Sequence, residues 1–296
     1  MKFTLNLPMA SGRFQAIPPE HYLPVAVAAE AAGFDAVSVP DNVMFPKTVS
    51  GPYPYSADGA RIWDAETPCM DPWVAIPAMA AVTSRIRFFS NVLKLAIREP
   101  ILVAKTVGSA ACLSGDRVAL GVGLSWMPEE FRYLRQEMKS RGARVDEAIG
   151  VIRALLRGGM VEHHGAHYDF DVLQLSPAPR RPVPIYVGGT SPAALRRAAR
   201  LGDGWISMLH DAGELRALVL RLHALRREHG REREPFEVKA LWVEPLAPAR
   251  VRELAEIGVT DLLVTPWLGE PGRDGGLESK RQSLARFADA VIAAAR

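Results

Sequence analysis

The chain has 296 residues, 48% hydrophobic and 23% charged, which supplies one large core and is far too apolar for a disordered chain. Thirty-six Lys and Arg against 33 Asp and Glu leave a formal charge of +3, scattered over helical segments rather than gathered in runs, so no nucleic-acid partner is expected. No stretch approaches the roughly 20 apolar residues of a membrane span, the N-terminus lacks a leader-like apolar run, and Cys69 and Cys112 match no metal or CxxC spacing, so a soluble cytoplasmic protein with free thiols is expected.

Short apolar runs alternate with longer segments of helical period, the pattern of parallel strands joined by crossover helices. Strands are predicted at Lys2–Leu7, Ala36–Val39, Ile86–Leu93, Val118–Gly121, Ile185–Val187, Trp205–Ser207, Phe236–Val243 and Leu262–Thr265. The helices that follow them are predicted at Glu20–Ala32, Pro72–Val82, Ile101–Leu113, Arg141–Leu156, Pro192–Leu201, Ala212–His229, Ala249–Ile257 and Lys280–Ala295. Eight such pairs, with no linker between them, predict a single α/β domain over 1–296, a TIM (β/α)8 barrel. Gly33, Gly202 and Gly258 stand where a helix closes at φ > 0. Ser191-Pro192 and Asp71-Pro72 each offer an N-cap followed by proline at the first helical position.

Two connections exceed the usual length of about 4–6 residues. Segment 41–71, after the second strand, holds Tyr53, Tyr55, Trp63 and four prolines and is expected to cover the barrel mouth. Segment 158–184 carries Val161-Glu162-His163-His164-Gly165 and His167-Tyr168-Asp169-Phe170, the pattern of a hairpin before the fifth strand. Its histidines lie near no cysteine, and no metal site is expected.

Gly188-Gly189-Thr190-Ser191-Pro192 ends an apolar strand and opens a helix. This is either a plain turn or an anion site built from backbone N–H groups and a helix dipole. As the fifth βα-loop of a barrel it lies on the functional face, which favours phosphate. Gly121-Val122-Gly123 lacks the third glycine and the distant acid of a dinucleotide fingerprint. In barrel register these glycines end the fourth strand, and spacing alone leaves open whether they expose backbone to a flat ring or serve tight packing.

Several stretches together resemble the luciferase-like monooxygenase superfamily. They are Ser38-Val39-Pro40-Asp41-Asn42, Tyr53 to Gly59, Trp63-Asp64, Asp71-Pro72, Leu120-Gly121-Val122-Gly123 through Trp126 with Glu129-Glu130-Phe131, and Val187 to Trp205. The likeness is greatest to the branch assigned to coenzyme F420, a deazaflavin, in a bacterial-luciferase-like barrel with insertions after strands 2 and 4.

The resemblance implies hydride transfer at C5 of the deazaflavin, with the protein positioning the cofactor and excluding water. It implies Asp41, Asn91, Val92, Lys94, Gly121 and Gly123 near the ring, with a non-prolyl cis peptide at Asn91-Val92. Gly188, Gly189, Thr190, Ser207 and Met208 would hold the phosphate end, and Tyr55, Trp63 and Trp126 would line the pocket of an apolar or aromatic substrate. Relatives commonly carry His where this chain has Asn42, and Asn donates a hydrogen bond but delivers no proton. The catalytic candidates are therefore Asn42 itself with Glu66, Asp64 or Glu129 as acid. Lys94 either stabilises an anionic reduced cofactor or faces outward from the barrel.

An FMN-dependent monooxygenase using O2 and a separate reductase has the same signature, and a non-catalytic flavin-binding barrel is the reading that the absent His motivates. A homodimer is implied by the family alone.

Overall fold

The computed structural model describes residues 1–10, 16–208, 210–268 and 275–295. In chain order it contains β1 (Lys2–Asn6), α1 (Tyr22–Ala31), β2 (Ala36–Val39), α2 (Pro72–Ala81), β3 (Arg87–Ser90), β4 (Leu93–Lys94), α3 (Pro100–Ser114), β5 (Val118–Gly123), α4 (Pro128–Tyr133) and α5 (Arg141–Leu156). Then follow β6 (Val161–His164), β7 (Asp169–Leu173), β8 (Ile185–Gly188), α6 (Pro192–Leu201), β9 (Gly204–Ile206), α7 (Ala212–Glu228), β10 (Glu237–Leu241), α8 (Pro248–Ile257), β11 (Asp261–Val264) and α9 (Leu277–Phe287).

Parallel pairing runs β3-β2-β1-β11-β10-β9-β8-β5, and β3 pairs back onto β5 through Phe88↔Val118 and Phe89↔Ala119. The sheet is thus a closed parallel barrel ringed by helices, the TIM-type fold expected. Antiparallel β6 and β7 stand outside it as the expected hairpin. No helix among the described residues is long and apolar enough to cross a membrane.

Strands covered on both faces must be apolar throughout, and β2, Ala-Val-Ser-Val, is buried at every position. Alternation still decides which side chain enters the barrel. Ala36, Phe89, Ala119, Tyr186, Ile206 and Leu263 form an inner cluster, while Val37, Phe88, Leu120 and Val187 belong to the core beneath the helices.

The amino end of the barrel is closed by charge. Lys239 Nζ lies 2.5 Å from Asp261 Oδ2 and 2.7 Å from Glu237 Oε2, with the Tyr186 and Phe89 rings 4.4 and 4.8 Å away. Thr4 Oγ1 donates to Asp261 Oδ1 at 2.9 Å. Burial raises the Glu237 carboxyl, but the Lys239 charge and the hydrogen bonds from Lys239 and Lys2 outweigh it and bring the pKa to about 2. A depressed folded-state pKa contributes stability that is present above the unfolded value and lost as pH falls through the folded one. Unfolding followed by circular dichroism between pH 5 and pH 2 is therefore expected to show stability falling across that window, and Glu237→Gln to show a shallower fall.

Three expectations are corrected. The third strand is not continuous over Ile86–Leu93 but breaks at Asn91-Val92, whose peptide bond is cis. Gly33 and Gly258 have φ of 84° and 105°, but Gly202 has φ −83° and ψ 154°. Glycine is needed at 202 for space, since a Cβ would lie 2.8 Å from the carbonyl oxygens of Ala198 and Gly204. The last helix starts at Leu277 rather than Lys280 and passes through a π turn at Ala288–Ile292. Asp71 and Ser191 cap α2 and α6 as expected, accepting from Trp73 N at 2.8 Å and Ala194 N at 3.2 Å.

Candidate functional site

At the carboxyl ends of the strands, Gly121, Gly123 and Gly188 leave room inside the barrel. A Cβ would lie 1.9 Å from the Ser90 carbonyl oxygen at Gly121, 2.6 Å from Val92 Cγ2 at Gly123 and 3.0 Å from Val92 Cγ1 at Gly188. The glycines therefore serve close packing, Gly121 against the Ser90 carbonyl and Gly123 and Gly188 against the half-buried Val92 of the cis turn. Asn91 is held by its amide, which donates to Asn6 Oδ1 at 3.0 Å, and Ser38 Oγ donates to the same oxygen at 2.9 Å.

Beside this ledge stands a wall of charge. Asp41 accepts from Lys94 N at 2.8 Å and from both arms of Arg98 at 2.7 and 2.9 Å, a bidentate fork that fixes the carboxylate. Lys94 Nζ donates to Asn42 Oδ1 at 3.1 Å and is ion-paired with Glu130 Oε1. Ser125 Oγ donates to Glu130 Oε2 at 2.5 Å. Ser125 has φ 64°, in the left-handed region that favours glycine. The Lys94 side chain is 11% exposed and that of Glu130 fully buried, so the outward reading of Lys94 does not hold.

Glu129, on the same short helix, turns elsewhere. Its Oε1 accepts from the backbone N–H of Ser50 at 3.0 Å and from the Ser50 hydroxyl. That hydroxyl bond holds its pKa below the usual carboxylate range, and its Oε2 is buried without a partner among the described residues. Glu66 is exposed on segment 41–71, and Asp64, also exposed, accepts from Thr67 Oγ1 at 2.6 Å. Neither is brought to the Lys94 cluster.

An aromatic wall joins segment 41–71 to the loop after β5. The Tyr53 ring packs edge-on against Trp63 at 5.1 Å, Trp126 at 5.5 Å and Tyr55 at 5.4 Å between centroids. Burial pushes the Tyr53 phenol up to about 12.

Across the mouth, Gly188, Gly189 and Thr190 are half-buried at the start of α6. Gly189 has φ 108°, and its carbonyl accepts from Trp205 Nε1 at 2.8 Å. Ser207 is buried, and its hydroxyl accepts from Leu241 N at 3.3 Å; Met208 is half-buried beyond it. The hairpin histidines find carboxylates away from the mouth, His163 with Glu147 at 3.1 Å and His164 with Asp169 at 2.6 Å.

Arg98, Asn6 and Ser50 are members of this site that sequence did not single out, and Glu130 and Ser125 entered only within the stretches from Leu120 to Phe131 that carry the family resemblance. Arg98 follows the single turn Leu95–Ile97 after β4, which brings its guanidinium back to Asp41. A concavity of about 440 Å³ opens at the opposite end, lined by Lys2, Asp35, Arg87, Glu237 and Lys239 among others. That is the amino end of the barrel, whereas barrel enzymes work at the carboxyl ends of their strands.

The fold is a (β/α)8 barrel with a charged and aromatic wall at the carboxyl ends of its strands. A family model for the luciferase-like monooxygenases matches residues 1–244, and the chain belongs to that family. It is 42% identical over 275 residues to an uncharacterized protein of Mycobacterium tuberculosis, covering 92% of this chain and 94% of that one. It is 33% identical over 213 residues to an F420-dependent glucose-6-phosphate dehydrogenase of Nakamurella multipartita, covering 70% of this chain and 57% of that one. Among solved structures, an F420-dependent secondary alcohol dehydrogenase in complex with an F420-acetone adduct superimposes with a TM-score of 0.77 at 17% identity, over 100% of this chain and 99% of that one.

Proposed function

We propose that the chain is an oxidoreductase that binds coenzyme F420 across the barrel mouth and passes a hydride between it and a small organic substrate. The observation that carries this reading is the mouth itself, where the Val92 ledge lies between a fixed wall of charge and the half-buried loop of Gly188, Gly189 and Thr190. A planar ring seated on Val92 would have Lys94 and Asn42 at one side, with its phosphate end toward Gly189 and the start of α6. The bound cofactor supplies the hydride chemistry; the protein's residues seat it, orient the substrate and keep water out. Tyr53, Trp63 and Trp126 give the substrate side an apolar, aromatic wall, and segment 41–71 covers it. The F420-dependent relatives support the deazaflavin over FMN.

The homodimer belongs to the same proposal. The sequence of α2 carries no charged residue, and the neighbouring helices α2 and α3 leave Val74, Leu102 and Leu113 exposed. Sedimentation velocity tests this, and a monomer at micromolar concentration would refute it.

Titration of the purified protein with oxidised deazaflavin and, separately, with FMN, followed by cofactor fluorescence, tests the assignment. Tight binding of the deazaflavin is expected. Gly189→Asp is expected to weaken it at least about tenfold, or 1.4 kcal/mol, by placing negative charge in the phosphate loop. Gly189→Ala, measured beside it, isolates the strain of any side chain at φ 108°. Preference for FMN supports the monooxygenase reading, and binding without turnover of any substrate supports a ligand-binding barrel.

A further inference from the structure

We infer that Lys94 is the group that exchanges a proton with the substrate oxygen, and that the substrate is accordingly a carbonyl compound or the corresponding alcohol. The inference rests on the function proposed above and adds a substrate class and a catalytic residue to it.

The case is one of elimination on geometry. Moving a hydride onto or off a carbon that bears oxygen requires a group that trades a proton with that oxygen. Among the described residues on the charged side of the mouth, Asp41 is locked by the Arg98 fork and the Lys94 N–H, and Arg98 is spent on Asp41 and lies 3.7 Å from Asp71. Glu130 is fully buried, its two oxygens engaged by Lys94 and Ser125. Glu129 is turned to Ser50, and Asn42 has no proton to give. Burial and the neighbouring Asp41 push the Cys69 thiol up to about 11. Tyr53 lies on the long connection, its ring packed edge-on against those of Trp63 and Trp126.

Lys94 differs from all of these. Its ammonium has three N–H donors, of which Asn42 and Glu130 take two. In the pair with Glu130 it is the lysine that retains the residual exposure, so a molecule entering from the mouth meets the cation and not the carboxylate. It sits at the end of a barrel strand, in register with Gly123 of β5, on the rigid part of the scaffold rather than on a loop. Glu130, Ser125 and Asn42 are positioning residues that aim it.

In the reducing direction, with reduced deazaflavin bound, the carbonyl carbon would receive a hydride, two electrons and one proton, and its C=O π pair would move to oxygen. One N–H bond of the Lys94 ammonium breaks, an O–H bond forms, and the neutral amine regains its proton from solvent at the mouth. Alcohol oxidation is the reverse.

The test uses the full-length protein loaded with oxidised deazaflavin, which cannot give a hydride, and a panel of small ketones labelled with ¹³C at the carbonyl. Infrared difference spectra are expected to show the carbonyl stretch shifted to lower wavenumber in the native protein. The shift is expected to be absent in Lys94→Met and intact in Tyr53→Phe. With reduced deazaflavin, ketone reduction by Lys94→Met is expected to fall about 10²–10⁴-fold, the ordinary contribution of a general acid.

Because Lys94→Met leaves Glu130 buried without its cation, Lys94→Met/Glu130→Gln is made as well, and it is expected to fold, bind deazaflavin and show the same spectral loss. An identical carbonyl frequency in the native protein and these variants, or uptake of no ketone by a protein that binds the deazaflavin, overturns the inference and leaves the cofactor reading standing. Failure of the native protein to bind the deazaflavin overturns both.

Discussion

Lys239→Met is expected to lower the unfolding free energy by about 3–5 kcal/mol, the range seen when one partner of a buried ion pair is removed. The loss comes from what stays behind. Asp261 is 1% exposed and Glu237 about a quarter exposed, and both are carboxylates that the ammonium neutralises inside the barrel end. The ammonium also lies over the Phe89 and Tyr186 rings, an attraction that methionine does not replace in kind. Lys239→Met/Asp261→Leu is expected to recover part of the loss, because an apolar pair of similar volume replaces a buried ion pair at little cost. Urea unfolding of the native protein and both variants measures this. A single-variant loss under about 1 kcal/mol would mean that the three charges are solvated and do not close the barrel.

Gly121→Ala is expected to cost about 3 kcal/mol or more, beyond the ordinary range for one added methyl group. The added carbon would lie 1.9 Å from the Ser90 carbonyl oxygen and 3.2 Å from Ile206 Cδ1, and a backbone atom cannot swing aside as a side-chain tip can. The Ser90 hydroxyl also bridges this glycine, donating to its carbonyl at 2.8 Å and accepting from its N–H at 3.1 Å. Any shift that relieves the clash therefore opens the β3–β5 seam next to Asn91 and Val92 and weakens cofactor binding as well. Gly150→Ala, where the added carbon meets nothing within 4 Å on α5, is the control and is expected to stabilise by up to about 1 kcal/mol. Equal effects of the two substitutions would contradict the close approach at Gly121.

The barrel was legible because its evidence is periodic. Buried parallel strands such as Ala36–Val39 and Ile185–Val187 read as short apolar runs, and the helices between them announce their starts with Asp71-Pro72 and Ser191-Pro192. What escaped is aperiodic. The six residues of α4 are too few for a helical pattern, and so Glu129 and Glu130 could not be assigned to opposite errands from their sequence. Glu130 finds Lys94 and Ser125, and Glu129 finds Ser50, through contacts spanning 36 and 79 positions. Gly202 was read as a left-handed cap because helix-then-glycine has that meaning most often, but two carbonyl oxygens crowd the space of its Cβ and only the folded chain shows them. Lys239 lay inside an expected strand and gave no sign of being the charge that closes the barrel's amino end, since a lysine in a strand ordinarily points to water.

The central claim is that the mouth moves a hydride and needs no oxygen. It is tested most directly by loading the protein with reduced deazaflavin under strict anaerobiosis, adding the ketone panel, and following the return of oxidised-cofactor absorbance. Reoxidation on addition of a ketone, with one alcohol formed per cofactor, is the predicted result. Reoxidation only after oxygen is admitted, with an oxygenated product, would contradict it and make the chain a monooxygenase.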